Sequence, residues 1–260
     1  YLCPLVTRNG QQRIDTSDLH VRGGEFVAGE VEELMDRDEL VEAACAEIIG
    51  LTRDRNAVLI FAAGVAHGMH IQRVLENSHD VECGFVCGET PTVERDELLI
   101  RFRRDATNGL FPQQPFKYLC NVGVLTTGFD APIIDCVVLL RPTMSPVLYS
   151  QMVGRGFRLH PEKANTLVLD FGGNILRHGP IDQIRIEDKP NSGSDQSPAK
   201  ECPICHAVIA TGYATCPDCG HQFPPPEQPR HDANASNAGI LSGDVTDAEY
   251  EILDINYSVH

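Results

Sequence analysis

Ten of the 260 residues are cysteines, and four of them fall into one pattern: Cys202-Pro-Ile-Cys205, ten residues, then Cys216-Pro-Asp-Cys219. A Cys-x-x-Cys turn presents two thiolates to one ion, and Zn²⁺ takes four such ligands in a tetrahedron. Gly220 follows the second pair, where a tight knuckle gains from unrestricted φ. Few large apolar residues flank these cysteines, so metal binding has to supply the folding energy of the segment. Four cysteines fill the coordination sphere, which predicts a structural zinc rather than a catalytic one. Redox pairs or free thiols fit two clustered pairs poorly, and His206 and His221 read as surface neighbours.

A second set of residues suits phosphate. Gln151-Met-Val-Gly154-Arg155-Gly156-Phe-Arg158 puts two arginines three residues apart, after a glycine that lets the backbone pass closely. The guanidinium fork matches phosphoryl oxygens better than an ammonium does. The plainer reading is a helix terminus with Arg155 and Arg158 as solvated cations. Upstream, Val122-Gly-Val-Leu-Thr126-Thr127-Gly128-Phe129-Asp130-Ala131-Pro132 follows an apolar run, where a ligand loop is expected. Asp130 could equally be a turn-forming residue.

Apolar runs at 57–62, 81–87, 117–121, 134–140 and 165–171 read as strands, with helical spacing near 66–77, 93–105 and 145–155. Alternating strands and helices, with runs apolar throughout, predict an α/β domain whose largely parallel sheet is covered on both faces. One helix is expected over 30–50, and short mixed segments over 1–24. The expected organisation is an interdomain segment at 1–24, the α/β domain at 25–186 and a Ser/Gly/Pro linker at 187–200. A metal module at 201–224 and an acidic, partly disordered tail at 225–260 follow. The chain begins with Tyr1 rather than Met, so it is expected to be a piece of a longer protein.

Charge excludes less than it first suggests. Lys and Arg number 21 against 37 acids, a net −16, which argues against a nucleic-acid partner held by phosphate neutralisation. Residues 25–47 carry nine acids and one base, and 225–260 seven acids and one base, so those segments hold −14 of the total. The remainder is nearly neutral, and the acidic stretches read as solvated surface. No apolar run is long enough for a bilayer, so no membrane partner is expected. Cys3, Cys45, Cys83, Cys87, Cys120 and Cys136 mostly sit in apolar segments and read as reduced core thiols, which predicts a cytoplasmic protein.

The arginine octapeptide and the Thr126–Pro132 loop together resemble motifs VI and V of superfamily 2 helicases and translocases. Val58-Leu-Ile-Phe61 running into Ala66-His67 resembles motif IV. Gly88-Glu-Thr90, Glu94-Arg95 and Leu98–Phe102 resemble the stretch between motifs IV and V. Leu167-Val-Leu-Asp170-Phe-Gly-Gly-Asn174 and Arg177-His178-Gly179 resemble the restriction and repair branch of the DEAD/DEAH-box-like helicases, and the cysteine module resembles a zinc ribbon. The resemblance implies the second RecA-like motor domain over about 25–185. It implies Arg158 as an arginine finger, with Arg155 beside it and Gln151 positioning the reacting group. Gly128, Asp130 and Gly154 would face the nucleotide, Asp130 accepting from the ribose. Ala63, His67, Gly88, Thr90, Thr126 and Thr127 would line a nucleic-acid track, DNA rather than RNA; a helix-cap or core histidine is the alternative for His67.

No G-x-x-x-x-G-K-[ST] loop occurs, and the four lysines (Lys117, Lys163, Lys189, Lys200) follow no phosphate-cradling glycines. ATP and Mg²⁺ would therefore be shared with an N-terminal RecA-like domain of the same protein, and this chain alone is expected not to hydrolyse ATP. The contrasting expectation is a non-enzymatic binding module, a degenerate motor scaffold with a zinc ribbon. A nuclease-coupled restriction subunit is a third, without a nuclease signature here.

Overall fold

The computed structural model describes residues 2–12, 14–104, 114–126, 128–181 and 199–224. Tyr1–Phe223 form one compact unit. The tail 225–260 and nearly all of the expected linker lie outside the described residues, as does Thr127.

Six strands form one sheet: β1 (Leu5–Asn9), β4 (Val58–Ala62), β5 (Cys83–Val86), β6 (Tyr118–Asn121), β7 (Cys136–Leu140) and β8 (Thr166–Asp170). Their order is β1-β8-β7-β4-β6-β5, and every pairing is parallel. All five residues of central β4 are buried. Val58, Ile60 and Ala62 pack on one side, with α1 (Ala28–Met35), α2 (Asp38–Leu51) and α3 (Val65–His79). Leu59 and Phe61 pack on the other, with α4 (Thr92–Arg103), α5 (Pro146–Val153) and α6 (Asn174–His178). Burial on both faces is why the strands are apolar at every position rather than at alternate ones. Each fully buried Leu or Phe contributes about 1.5–3 kcal/mol relative to exposure.

Five strands and three helices fall where the sequence puts them. Two features differ. The helix expected over 30–50 is broken: Arg37 is extended, and α2 restarts at Asp38 with two acids in its first turn, where they suit the positive end of the helix dipole. The segment 1–24 contains β1, a full member of the sheet, as well as β2 (Val21–Arg22), which pairs antiparallel with β3 (Glu25–Phe26). The cysteine segment forms β9 (Ala199–Glu201) and β10 (Val208–Ala210), also antiparallel. Among the described residues no helix is long and apolar enough to cross a membrane.

Candidate functional site

The parallel sheet gives the domain two ends. At the carboxyl ends of neighbouring strands β4, β6 and β5 lie the loops carrying Ala63, Thr126, and Gly88 with Thr90. The arginine segment lies at the opposite end. Helix α5 starts beyond the carboxyl end of β7, capped by the Ser145 hydroxyl accepting from Leu148 N–H. It returns to the amino end of β8, where the chain makes a 3-10 turn at Gly154–Gly156. Gly156 is the glycine that close packing requires, because a Cβ there would stand 2.4 Å from Thr166 Cγ2. The Gly156 carbonyl accepts from the Thr166 hydroxyl at 2.7 Å. Gly154, expected to be that close approach, is ordinary helical backbone, with φ −57° and Phe157 at 3.8 Å as the nearest atom a Cβ would meet.

Arg155 and Arg158 do different things. Arg155 turns inward, donating through Nη1 to the Phe129 carbonyl at 2.7 Å and through Nε to the Gln151 carbonyl at 3.2 Å. Burial lowers its pKa from the usual guanidinium value. It thereby pins the Gly128–Asp130 turn, whose Gly128 holds φ +69°, a conformation open to glycine at no steric cost. Phe129 is buried against Phe102, with Arg103 over its ring. Arg158 turns outward and pairs with Asp130, with side chains 43% and 67% exposed. A pair this exposed is worth about 0–1 kcal/mol, so a ligand of ordinary micromolar affinity, about 8 kcal/mol, separates it readily. Asp130 also borders an open cleft of about 380 Å³ with Arg103, Pro132, Ile133 and His160. Gln151 contributes its carbonyl to Arg155. The two arginines and the Gly-Phe-Asp turn thus meet at one mouth.

At the carboxyl end Ala63 is buried, and Gly88 is exposed with open space around it. Thr90 accepts from Cys87 N–H at 2.9 Å, and Arg95 braces that turn through the Cys87 and Thr90 carbonyls. Thr126 is half-buried. His67 departs from expectation. It is 1% exposed, and its Nδ1 accepts from Ala63 N–H at 3.3 Å. Burial drives its pKa down to about 4, so it is a neutral core histidine with no side chain to offer a phosphate.

Two positioning residues escape the sequence. Asn121 ends β6, donates to the Ile60 carbonyl at 2.9 Å and accepts from Leu125 N–H at 3.3 Å. Glu32 of α1 accepts from Ala66 N–H at 2.7 Å and His67 N–H at 3.3 Å, capping α3. Asn121 lies in an apolar run, a signal that could have drawn attention to it. Glu32 is one of many acids and stands out by nothing.

Cys202, Cys205, Cys216 and Cys219 converge, their sulfurs all within 4.8 Å of one another. Cys202–Cys219 is 3.5 Å and Cys205–Cys216 3.7 Å. Tetrahedral sulfurs about 2.3 Å from one ion lie about 3.8 Å apart, so the four fit a metal ion. The six other cysteines are buried and unpaired.

Residues 39–160 match the family described as helicase conserved C-terminal domain. A Saccharomyces cerevisiae protein provisionally named ATP-dependent helicase IRC3 is 28% identical over 175 residues, 66% of this chain and 24% of its own length. A 51.5 kDa protein of Lactococcus phage (isolate 7-9) is 27% identical over 217 residues, 81% of this chain and 45% of its own. The chain therefore spans less than half of either relative. A solved fragment from Vibrio vulnificus YJ016, provisionally assigned as the HsdR subunit of a type I restriction enzyme, shares the fold. It superposes with a TM-score of 0.52 at 24% identity, covering 70% of this chain and 34% of that one. The six-stranded parallel sheet and the family match agree: over residues 39–160 the chain is similar to the helicase conserved C-terminal domain.

Proposed function

We infer that the chain is the C-terminal motor half of an ATP-dependent helicase or translocase acting on nucleic acid, and that Arg158 is its arginine finger. The observation that carries this is the single mouth at which Arg158 meets Asp130 while Arg155 holds the turn between them. ATP and Mg²⁺, held by an upstream motor domain, would supply the phosphoryl group and the neutralisation of its charge. On closure of the two lobes Arg158 leaves Asp130 and donates to the γ-phosphoryl oxygens, and the freed Asp130 carboxylate accepts from a ribose hydroxyl. Arg155 stays on the Phe129 carbonyl and keeps the turn in register, and Gln151 positions the reacting group. A cation supplied across an interface is worth about 10³–10⁵ in turnover.

The carboxyl-end loops suit a track gripped without sequence readout, through backbone amides and the hydroxyls of Thr90 and Thr126. DNA, rather than RNA, follows from the restriction and repair resemblance of residues 167–179. The four cysteines suit a structural Zn²⁺, and thiolate ligands with six reduced core thiols suit the cytoplasm.

The test is Arg158→Ala in the full-length protein. ATP binding should stay within about threefold, and nucleic-acid-stimulated turnover should fall about 10³-fold. Unchanged turnover removes the finger assignment. The 260-residue chain by itself should show no turnover.

A further inference from the structure

Strand β1 is an edge of the motor sheet, paired on one side with β8. An edge strand leaves a row of backbone groups unpaired and is normally blunted or covered. Here the cysteine module covers it. The Asn9 N–H donates to the His206 carbonyl at 3.1 Å, and Arg8 and Ala207 face each other as an antiparallel bridge. The Thr7 hydroxyl donates to the Val208 carbonyl at 3.0 Å, and Asn9 Nδ2 donates to Glu201 Oε2 at 2.8 Å. Arg8 Nη2 meets Asp218 Oδ2 at 2.9 Å.

These contacts come from both metal-binding knuckles. His206 and Ala207 directly follow Cys205, and Asp218 lies between Cys216 and Cys219. The Cys202 N–H donates to the Ala207 carbonyl and the His206 N–H to the Cys202 carbonyl, so the backbone that grips β1 is the backbone that sets the ligands. The module's own core is small: Cys202, Ala207, Ile209 and Cys216, with Cys205 and Phe223 against them. Two of its four buried residues are ligands, so without a metal little remains to hold the knuckles in shape.

We propose that the cysteine module is a metal-dependent clamp on β1, so that metal loading and the integrity of this sheet edge form one linked equilibrium. The reach of the clamp includes the arginine mouth. Just before β1, the Cys3 N–H donates to the Phe157 carbonyl at 2.8 Å, and Phe157 immediately precedes Arg158. One strand therefore carries the metal module at its carboxyl end and backs the finger loop at its amino end. The proposal rests on the cysteines' metal binding and not on the motor function.

The test is hydrogen exchange on the full 260-residue chain, zinc-loaded and after zinc removal, with metal content measured alongside. Residues 5–10 should exchange about tenfold faster or more once zinc is removed, while β4 keeps its protection. Linkage is reciprocal: Arg8→Ala, which keeps the sheet core, should weaken zinc affinity about fivefold in competition with a chromophoric chelator. A chain that holds no zinc defeats the metal reading itself. Zinc removal that deprotects residues 199–210 but leaves 5–10 unchanged, or an Arg8→Ala chain with undiminished zinc affinity, overturns the clamp.

Discussion

The two ends of this sheet handle charge in opposite ways. At the amino end, cations dominate: Arg155 half-buried and committed to a carbonyl, Arg158 exposed and held by one weak pair. At the carboxyl end, the loops offer amides and hydroxyls, Arg95 is held by the Cys87 and Thr90 carbonyls, and the charge at the α3 terminus is the chain's own carboxylate, Glu32. A group that must move during a cycle sits in a shallow energy well, and a group that positions it sits in a deep one. On the proposed function, Arg158 and Arg155 would divide those roles within one octapeptide, which spacing alone could not separate.

The division can be broken at Arg155. Arg155→Ala leaves Arg158, the proposed finger, in place but frees the Phe129 carbonyl, so the Gly128–Asp130 turn loses its tether. Misplacement of a catalytic group by about 1 Å costs about 10²-fold, and turnover in the full-length protein should fall by about that factor. It should also raise the KM for ATP, because Asp130 moves with the turn. A loss in turnover equal to that of Arg158→Ala, with KM unmoved, would place both arginines on the phosphate and end the distinction.

His67 sharpens the contrast at the other end. Its folded pKa, about 4, lies below the ordinary value of 6.5 because burial disfavours the imidazolium; Asp36 opposes this and His70 adds to it. The unfolded chain therefore binds more protons between those values. The resulting stability is complete above pH 6.5 and is lost as pH falls towards 4. Between pH 7 and pH 5 this one group should cost about 2 kcal/mol. His67→Asn keeps an acceptor for the Ala63 N–H and should flatten that part of the urea-midpoint profile. An unaltered profile would mean that His67 is solvated after all, and would restore it to the proposed track.

The sequence is most readable where one force acts alone. The runs at β4, β6, β7 and β8 are apolar because both faces are covered, and burial on both faces leaves little room for another reading. The cysteine spacing is readable because few chemistries need four thiols so placed. Strand β1 was not, because its Leu-Val-Thr-Arg-Asn is only partly buried and is finished by partners 190 or more residues away. The burial of His67 is not legible either, because a motif fixes only its position, whereas Met35, Val41, Ala44 and Phe171, which line one small cavity with it, come from other elements. The need for glycine at 156 is hidden for a similar reason: the tight contact is with Thr166, ten residues beyond it.

The smallest expected effect concerns Glu32, whose carboxylate already occupies the first free amides of α3. A phosphate approaching the Ala63 loop meets like charge there, and the two must either share the amides or exchange. Neutralising the carboxylate keeps an acceptor for Ala66 N–H but removes the repulsion. Glu32→Gln should therefore tighten nucleic-acid binding about two- to fivefold at low salt, and the gain should vanish above about 0.3 M salt as screening shortens the range. It should also cost up to about 1 kcal/mol of stability, since a charged cap at a helix amino terminus is the better one. The two effects have different signs, so fluorescence anisotropy and urea denaturation on the same variant separate them. Loss of stability without any gain in affinity would mean that the track bypasses the α3 terminus and runs along the Gly88 and Thr126 loops alone.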